Sequence, residues 1–527
     1  MQDWQRYLPL ISCVCFASWF VGKKILSYAE LALAQNMWRK MYKKPEGYRE
    51  GCRVYSVSAT PSADVPTFTP LSSIDYFQMR FTRSFVYYYE EELSVEALKD
   101  SLADMLQDYP QVGGFFAIVD DRVVIDHSTP IVDLIEEHFD ETSLDGLTNE
   151  QIRAFCASST WNDPKWSVFL PQLQTEFPVA LGKPLTEIKI NFLHLDGCVH
   201  TVIAVGFSHG LNDANSAFTF INEWALRTKA AKERKTEVKL VVPDHDRSKL
   251  NRIPPVEFSK KEALDVGFKI QPYLKFAGSL FLYGIVSRKK PSTIQHLYFS
   301  NEVLTEYKNT LISNEPKKFQ GKIISRNDIL SSLFWKLRNE LEDRASIYNN
   351  RWLFGSRNLV VIANFRGKIE GIESNYYGNC LLFTTCFIDS QELSELNISD
   401  LVLKVRETVE TATGPHCKRA VRILNELIAR KNTLALLGLD PPVMYPLHTL
   451  VTNWSKFDIY GADFGAGRPK RFIYPLSFTI PGIVIVAPTR DNNGLECVIS
   501  GTEPFFTELQ KLGITNSQNV AQFLRSF

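Results

Sequence analysis

Residues Val199 to Asp213 read VHTVIAVGFSHGLND. The first part is β-branched and apolar, so it reads as a buried strand, and it stops at His209. From Asn215 to about Lys232 the spacing changes. Ala217, Phe220, Ile221, Trp224 and Ala225 recur every three or four residues, as on one face of a helix. A strand, a short polar loop and a helix therefore hold an imidazole at the rim of a core. Free imidazole titrates near ~6.5, so it can take up and return a proton at neutral pH. A plain structural role is the alternative for a lone histidine at a strand end. Asp213 stands where the helix begins and suits an N-cap.

Outward from this stretch the same alternation continues. Lys189–Leu195 and Val199–Phe207 form a hairpin turning at Asp196-Gly197. Arg80–Glu90 (RFTRSFVYYYE) reads as a strand. Ser94 caps a helix with Leu98, Leu102, Met105 and Leu106 on one face. In the second half, Ser325 and Asp328 open a helix through Leu341. Arg357–Phe365 and Cys380–Ile388 read as strands, with helices from Ser399 and over His416–Lys431. The expected organisation is a leader over 1–50, an N-terminal lobe over 51–240, a proline-punctuated crossover over 241–295 and a C-terminal lobe over 296–527. The expected fold class is α/β, with two mixed-sheet lobes joined by that crossover.

Composition narrows the function. The chain has 527 residues, 45% hydrophobic and 22% charged, enough to bury sizeable cores. Lys plus Arg and Asp plus Glu balance at 59 each, which leaves no electrostatic footprint for nucleic acid. The nine cysteines are scattered without a C-x-x-C pair, as in a reducing compartment. No metal-ligand spacing occurs, so no metal is expected.

Tyr7–Gly22 (YLPLISCVCFASWFVG) carries no charge and is followed by Lys23 and Lys24. As a helix it reaches about 24 Å, short of the roughly 30 Å hydrocarbon layer. A short anchor, an interfacial helix, a signal-type segment and a packed terminal helix stay open. If the segment spans, the positive charges downstream place the body in the cytosol; the expected location is the endoplasmic reticulum membrane, with a soluble cytoplasmic protein as the alternative. Phe276–Ser287 (FAGSLFLYGIVS) between basic flanks is either a core-packed or lid helix or a second membrane-contacting patch.

The order of segments resembles the BAHD acyltransferases and their fungal trichothecene-acetyltransferase-like relatives. His209 and Asp213 match the family's H-x-x-x-D. Asp463-Phe464-Gly465-Ala466-Gly467 corresponds to its D-F-G-W-G, with Ala466 in place of Trp. Leu71-Ser72-Ser73-Ile74-Asp75, Tyr377-Gly378-Asn379 and Thr452-Asn453-Trp454 match further runs in the family's order. Ala214 replaces the usual glycine after the motif aspartate.

The resemblance implies the chloramphenicol-acetyltransferase-like two-lobed fold, with the active site in the channel between the lobes. It implies acyl-CoA as co-substrate, no permanently bound cofactor, and transfer to the hydroxyl of a hydrophobic alcohol or phenol. His209 becomes the general base, and the aspartate pairs with an arginine away from the reacting centre. By the same analogy Thr452 and Trp454 are candidate oxyanion donors. Asp463, Gly465, Gly467 and Asn379 are candidates beside the coenzyme A channel, and Arg366 could orient donor or acceptor. No G-x-S-x-G elbow occurs, so direct transfer without an acyl-enzyme is expected. Ser208 argues against the condensation and wax-ester types, which carry a second histidine there. Transfer to an amine, or a membrane-tethered binding protein that has lost turnover, are the alternatives. A monomer is expected.

Overall fold

The computed structural model describes residues 51–60, 66–79, 81–120, 122–140, 150–152, 164–175, 181–234, 240–270, 292–344, 356–430, 439–440, 448–475 and 481–513. The first half supplies strands β1 (Arg53–Ser58), β2 (Phe68–Pro70), β3 (Thr82–Tyr89), β4 (Phe115–Val119), β5 (Arg122–Asp126), β6 (Ile131–Phe139), β7 (Thr186–Leu195) and β8 (Cys198–Ser208). After them come β9 (Lys269–Ile270), β10 (Ser292–Ser300), β11 (Leu359–Asn364), β12 (Leu381–Cys386), β13 (Leu439–Asp440), β14 (Thr449–Asn453), β15 (Arg471–Ile473), β16 (Ile483–Pro488) and β17 (Gly494–Thr502).

Two six-stranded sheets carry the fold. The first runs β1-β6-β7-β8-β3-β15 and the second β10-β17-β16-β14-β11-β12. Both are mixed: β6 and β7 pair in parallel in the first, and β14 pairs in parallel with β11 and with β16 in the second. This is the two-lobed mixed-sheet architecture expected from the sequence. Smaller ladders join β2, β5 and β4, and β9 with β13.

The aromatic composition of β3 follows from its place inside the first sheet. Every residue from Thr82 to Tyr89 is buried. Side chains alternate between faces along a strand. Phe85, Tyr87 and Tyr89 join the cluster beneath the helices Val95–Asp108 and Ala214–Lys232. Val86 and Tyr88 join a second cluster with Phe169, Leu193 and Val202 on the opposite face. A strand covered on both faces has no polar side to show. The second sheet packs one face on the helices Arg326–Arg344 and Ile398–Glu410, through Leu333, Leu337, Leu401 and Val405.

One strand crosses the expected lobe boundary. β15 pairs antiparallel with β3, Phe472 opposite Tyr87, and so closes the edge of the first sheet. The division at residues 240 and 296 does not account for it.

The expectation of membrane association is corrected. Among the described residues, no helix is long and apolar enough to cross a membrane. The two segments that motivated it, 7–22 and 276–287, lie outside the described residues.

Candidate active site

The strand–loop–helix sequence around His209 closes as follows. β3 and β8 pair antiparallel, with Thr82 opposite Ser208. The His209 N–H then donates to the Phe81 carbonyl at 2.7 Å, which ends the ladder at the imidazole. Gly210 lies so close to the backbone of Met79 that a Cβ would approach it to 2.8 Å. A larger residue there would push the loop off the strand end.

Asp213 caps the helix Ala214–Lys232, accepting from the Ser216 N–H at 3.0 Å. Its carboxylate also takes two bonds from Arg366, at 2.7 and 3.0 Å, and one from the Cys380 N–H at 2.9 Å. Burial raises its pKa, but the Arg366 guanidinium and these N–H groups outweigh burial and hold it below the usual carboxylate range. Arg366 spends its remaining donors on Ser216 Oγ, on Asn364 Oδ1 and on the carbonyls of Gly378 and Tyr376. The guanidinium is saturated by protein, so it does not orient a substrate.

Asn379 is fully buried beside the imidazole. Its Nδ2 donates to Asp75 Oδ1 at 2.8 Å and to the His209 carbonyl at 2.7 Å. Asp75 is itself paired with Arg247 at 2.9 Å, both side chains being buried, so it is an acceptor only. That fixes the amide orientation. Asn379 Oδ1, 3.2 Å from His209 Nδ1, must accept the imidazole proton there, which leaves the lone pair on Nε2. The amide is used up on Asp75 and His209, not turned toward a coenzyme A channel. Burial, and then the nearby Arg83 charge, lower the His209 pKa to about 3.

Thr452 and Trp454 sit at the end of β14. The indole Nε1 donates to Thr452 Oγ1 at 3.1 Å, which leaves the threonine proton free to be donated elsewhere. Trp454 lies edge-on to Tyr474 at 4.8 Å and to Phe218 at 5.6 Å, and 6.1 Å from Phe85. This aromatic wall belongs to the same core cluster as Leu211 and Ala214 of the histidine loop and its helix.

The 463–467 turn lies elsewhere. Asp463 binds Lys229 at 2.6 Å and the Gly465 N–H at 2.9 Å, and the Gly465 carbonyl accepts from Lys232 at 2.7 Å. Phe464 packs edge-on to Trp224 at 4.8 Å. Gly465 and Gly467 have φ of +91° and +78°, which explains the glycines. The turn clamps the last turns of the helix Ala214–Lys232, roughly 24 Å along its axis from Asp213.

Two functional candidates escaped the sequence. In the sequence Asp75 is only part of a matching run, yet it orients the amide that orients the imidazole. Arg83 is one residue of an aromatic strand. It is 3% exposed, and its Nη2 grips both the carbonyl and the side chain of Asn212, inside the histidine loop.

Comparison with known proteins identifies the family and the fold. Residues 57–510 match the transferase family. Fatty alcohol:caffeoyl-CoA acyltransferase of Arabidopsis thaliana is 23% identical over 432 residues, covering 78% of this chain and 86% of that protein. Vinorine synthase of Rauvolfia serpentina is 20% identical over 406 residues, 76% of this chain and 79% of that one. Among solved structures, F. graminearum TRI101 complexed with coenzyme A and deoxynivalenol superposes with a TM-score of 0.64 at 14% identity, over 85% of this chain and 97% of that chain.

Proposed function

Given that the chain belongs to the transferase family of BAHD-type acyltransferases, and so is an acyl-CoA-dependent acyltransferase, we propose that it esterifies the hydroxyl of a small molecule with His209 as general base. The observation that carries this reading is the Asn379 contact, which leaves Nε2 as the bare nitrogen.

A thioester carbonyl is already a good electrophile, and the protonated acceptor is the weak partner. Nε2 takes the acceptor proton as the hydroxyl oxygen attacks the carbonyl carbon. Negative charge collects on the carbonyl oxygen, and the Thr452 hydroxyl, whose oxygen accepts from the Trp454 indole, donates its own proton to it. Collapse expels the coenzyme A thiolate, which recovers the proton from Nε2. The low His209 pKa keeps the imidazole unprotonated at neutral pH and makes the return of the proton to the thiolate downhill. No acyl-enzyme is formed. Asp213 and Arg366 organise the loop, and the 463–467 turn anchors the far end of its helix.

The relative named for a fatty alcohol supports a hydroxyl acceptor. An amine is the competing acceptor, because Nε2 serves an N–H as well. The test is thiol release from acetyl-CoA across a panel of alcohols, phenols and amines, with the wild type and His209→Ala. Loss of at least ~10² in turnover for His209→Ala is expected. Near-normal turnover of that variant would remove His209 as the base, and acylation of amines alone would move the reading to N-acylation.

A further inference from the structure

Arg83 stands on the face of β3 that also presents Phe85, Tyr87 and Tyr89 to the core, one cation in an aromatic stripe. Among the described residues, its Nη2 bonds only neutral oxygens, those of Asn212, and its Nε is buried without a hydrogen-bond partner. The carboxylates around the histidine loop are committed elsewhere: Asp213 to Arg366 and Asp75 to Arg247. Among the described residues, three buried guanidinium groups therefore face two buried carboxylates, and the surplus charge is that of Arg83. The other titratable groups facing it are the phenols of Tyr474 and Tyr377, the Asp213 carboxylate and the His209 imidazole.

A buried charge without a counter-ion is costly. Holding Asn212 in place does not require one, since a neutral donor binds a carbonyl and an amide oxygen as well. The guanidinium lies 5.5 Å from the Phe85 ring, whose neighbours are Trp454, Phe218 and Tyr474. It thus sits between the loop that carries the base and the aromatic wall beside Thr452.

We propose that Arg83 is the docking point for a carboxylate on the acceptor, so that the preferred acceptor is a hydroxy acid with an apolar body. The carboxylate supplies the missing counter-ion and sets the hydroxyl at the histidine loop, while the aromatic wall takes the apolar body. Once the anion is docked, the positive charge beside the imidazole is cancelled, and the imidazolium that forms during transfer is better tolerated. The inference rests on the proposed base role of His209 for its kinetic arm only.

Two arms test it. The first compares 3-hydroxybenzoate and 4-hydroxyphenylacetate with their methyl esters, under saturating acetyl-CoA, in the wild type, Arg83→Lys and Arg83→Met. The wild type is expected to prefer the acids, and the acid-to-ester ratio of kcat/KM to fall ~10²-fold in Arg83→Met and less in Arg83→Lys. A ratio unchanged by Arg83→Met, however far both rates fall, overturns the proposal in favour of a loop-holding or oxyanion role. The second arm needs no turnover. In the His209→Gln protein, benzoate is expected to raise the melting temperature and benzamide not, and Arg83→Met added to it is expected to abolish the difference. Equal shifts with benzoate and benzamide overturn the proposal even if His209 is not the base. A benzoate-specific shift beside full turnover of His209→Ala overturns only the base assignment.

Discussion

Asn379 touches His209 twice, Oδ1 at the ring Nδ1 at 3.2 Å and Nδ2 at the main-chain carbonyl at 2.7 Å. One amide therefore fixes both the tautomer and the loop that presents it. Replacement by alanine removes the acceptor for Nδ1–H and takes the side-chain donor from Asp75 Oδ1, leaving it the backbone N–H of residue 379 at 3.3 Å. For Asn379→Ala we expect kcat to fall ~10²-fold with little change in KM for acyl-CoA, and stability to drop about 1–3 kcal/mol. Steady-state kinetics beside a denaturant titration separates the two effects.

The low His209 pKa sets a pH window. The neutral ring is the active form, so kcat/KM should be flat through pH 6.5 and show its acid limb near pH 3, where the folded imidazole titrates. Stability falls in the same direction, but over a window that the unfolded chain also sets. Below about 6.5 the unfolded histidine binds a proton that the folded one refuses until about 3, so its contribution is complete above 6.5 and drains away as pH falls between those values. Burial lowers His127 and His245 to about 4 with the same sign. Melting curves from pH 7 to 4 should therefore show a shallower decline for His209→Gln than for the wild type. An equal slope would contradict the shifted pKa.

Asp213 and Arg366 form a buried pair at 2.7 Å, 5% and 4% exposed in their side chains. Asp213→Asn keeps a capping side chain but leaves Arg366 as a buried charge without its partner. The expected loss is ~3–5 kcal/mol in stability, larger than any loss of capping alone. Asp213→Asn that melts with the wild type would mean the pair is dispensable.

Thr452 and Trp454 divide their roles by one hydrogen. Thr452→Val preserves shape and removes the donor, and kcat is expected to fall ~10²–10³-fold if that proton steadies the oxyanion. Trp454→Phe keeps the threonine hydroxyl and most of the aromatic wall, so the smaller effect is expected there. The order of the two variants in kcat is the measurement, and the reverse order would shift the donor to the indole.

Gly465 and Gly467 hold positive φ, at +91° and +78°. A Cβ at 465 would also come within 2.9 Å of Lys232 Cδ, whereas the space beside 467 is open. Alanine should cost about 1–2 kcal/mol at each through backbone strain, with 465 the more sensitive. A large rise in KM for acyl-CoA with unchanged melting would instead place this turn against the co-substrate.

The sequence shows what repeats locally. The β-branched apolar run 199–207 and the three-to-four spacing after Asn215 predict the strand and the helix, and the short polar residues between them predict the cap. Long-range partners leave no such mark. His209 and Asn379 are 170 positions apart, and nothing in Tyr377-Gly378-Asn379 says that its amide turns to an imidazole. Arg366 reads as a free cation until its five donors are counted against carbonyls and a carboxylate. Arg83 is the instructive miss, because a lone charge in a run of aromatic residues is itself an anomaly.

β15 gives the first sheet its last edge, through residues that follow most of the second sheet in the chain. During synthesis the N-terminal lobe must therefore wait. Its aromatic strand β3, buried on both sides in the finished protein, has an unpaired edge until residues 471–473 emerge, and the histidine loop lacks Asn379 until the second half arrives. Catalytic competence comes as one of the last events of folding. A chain cut at the crossover would yield neither half of the enzyme, and the two pieces would have to be made together to complement each other.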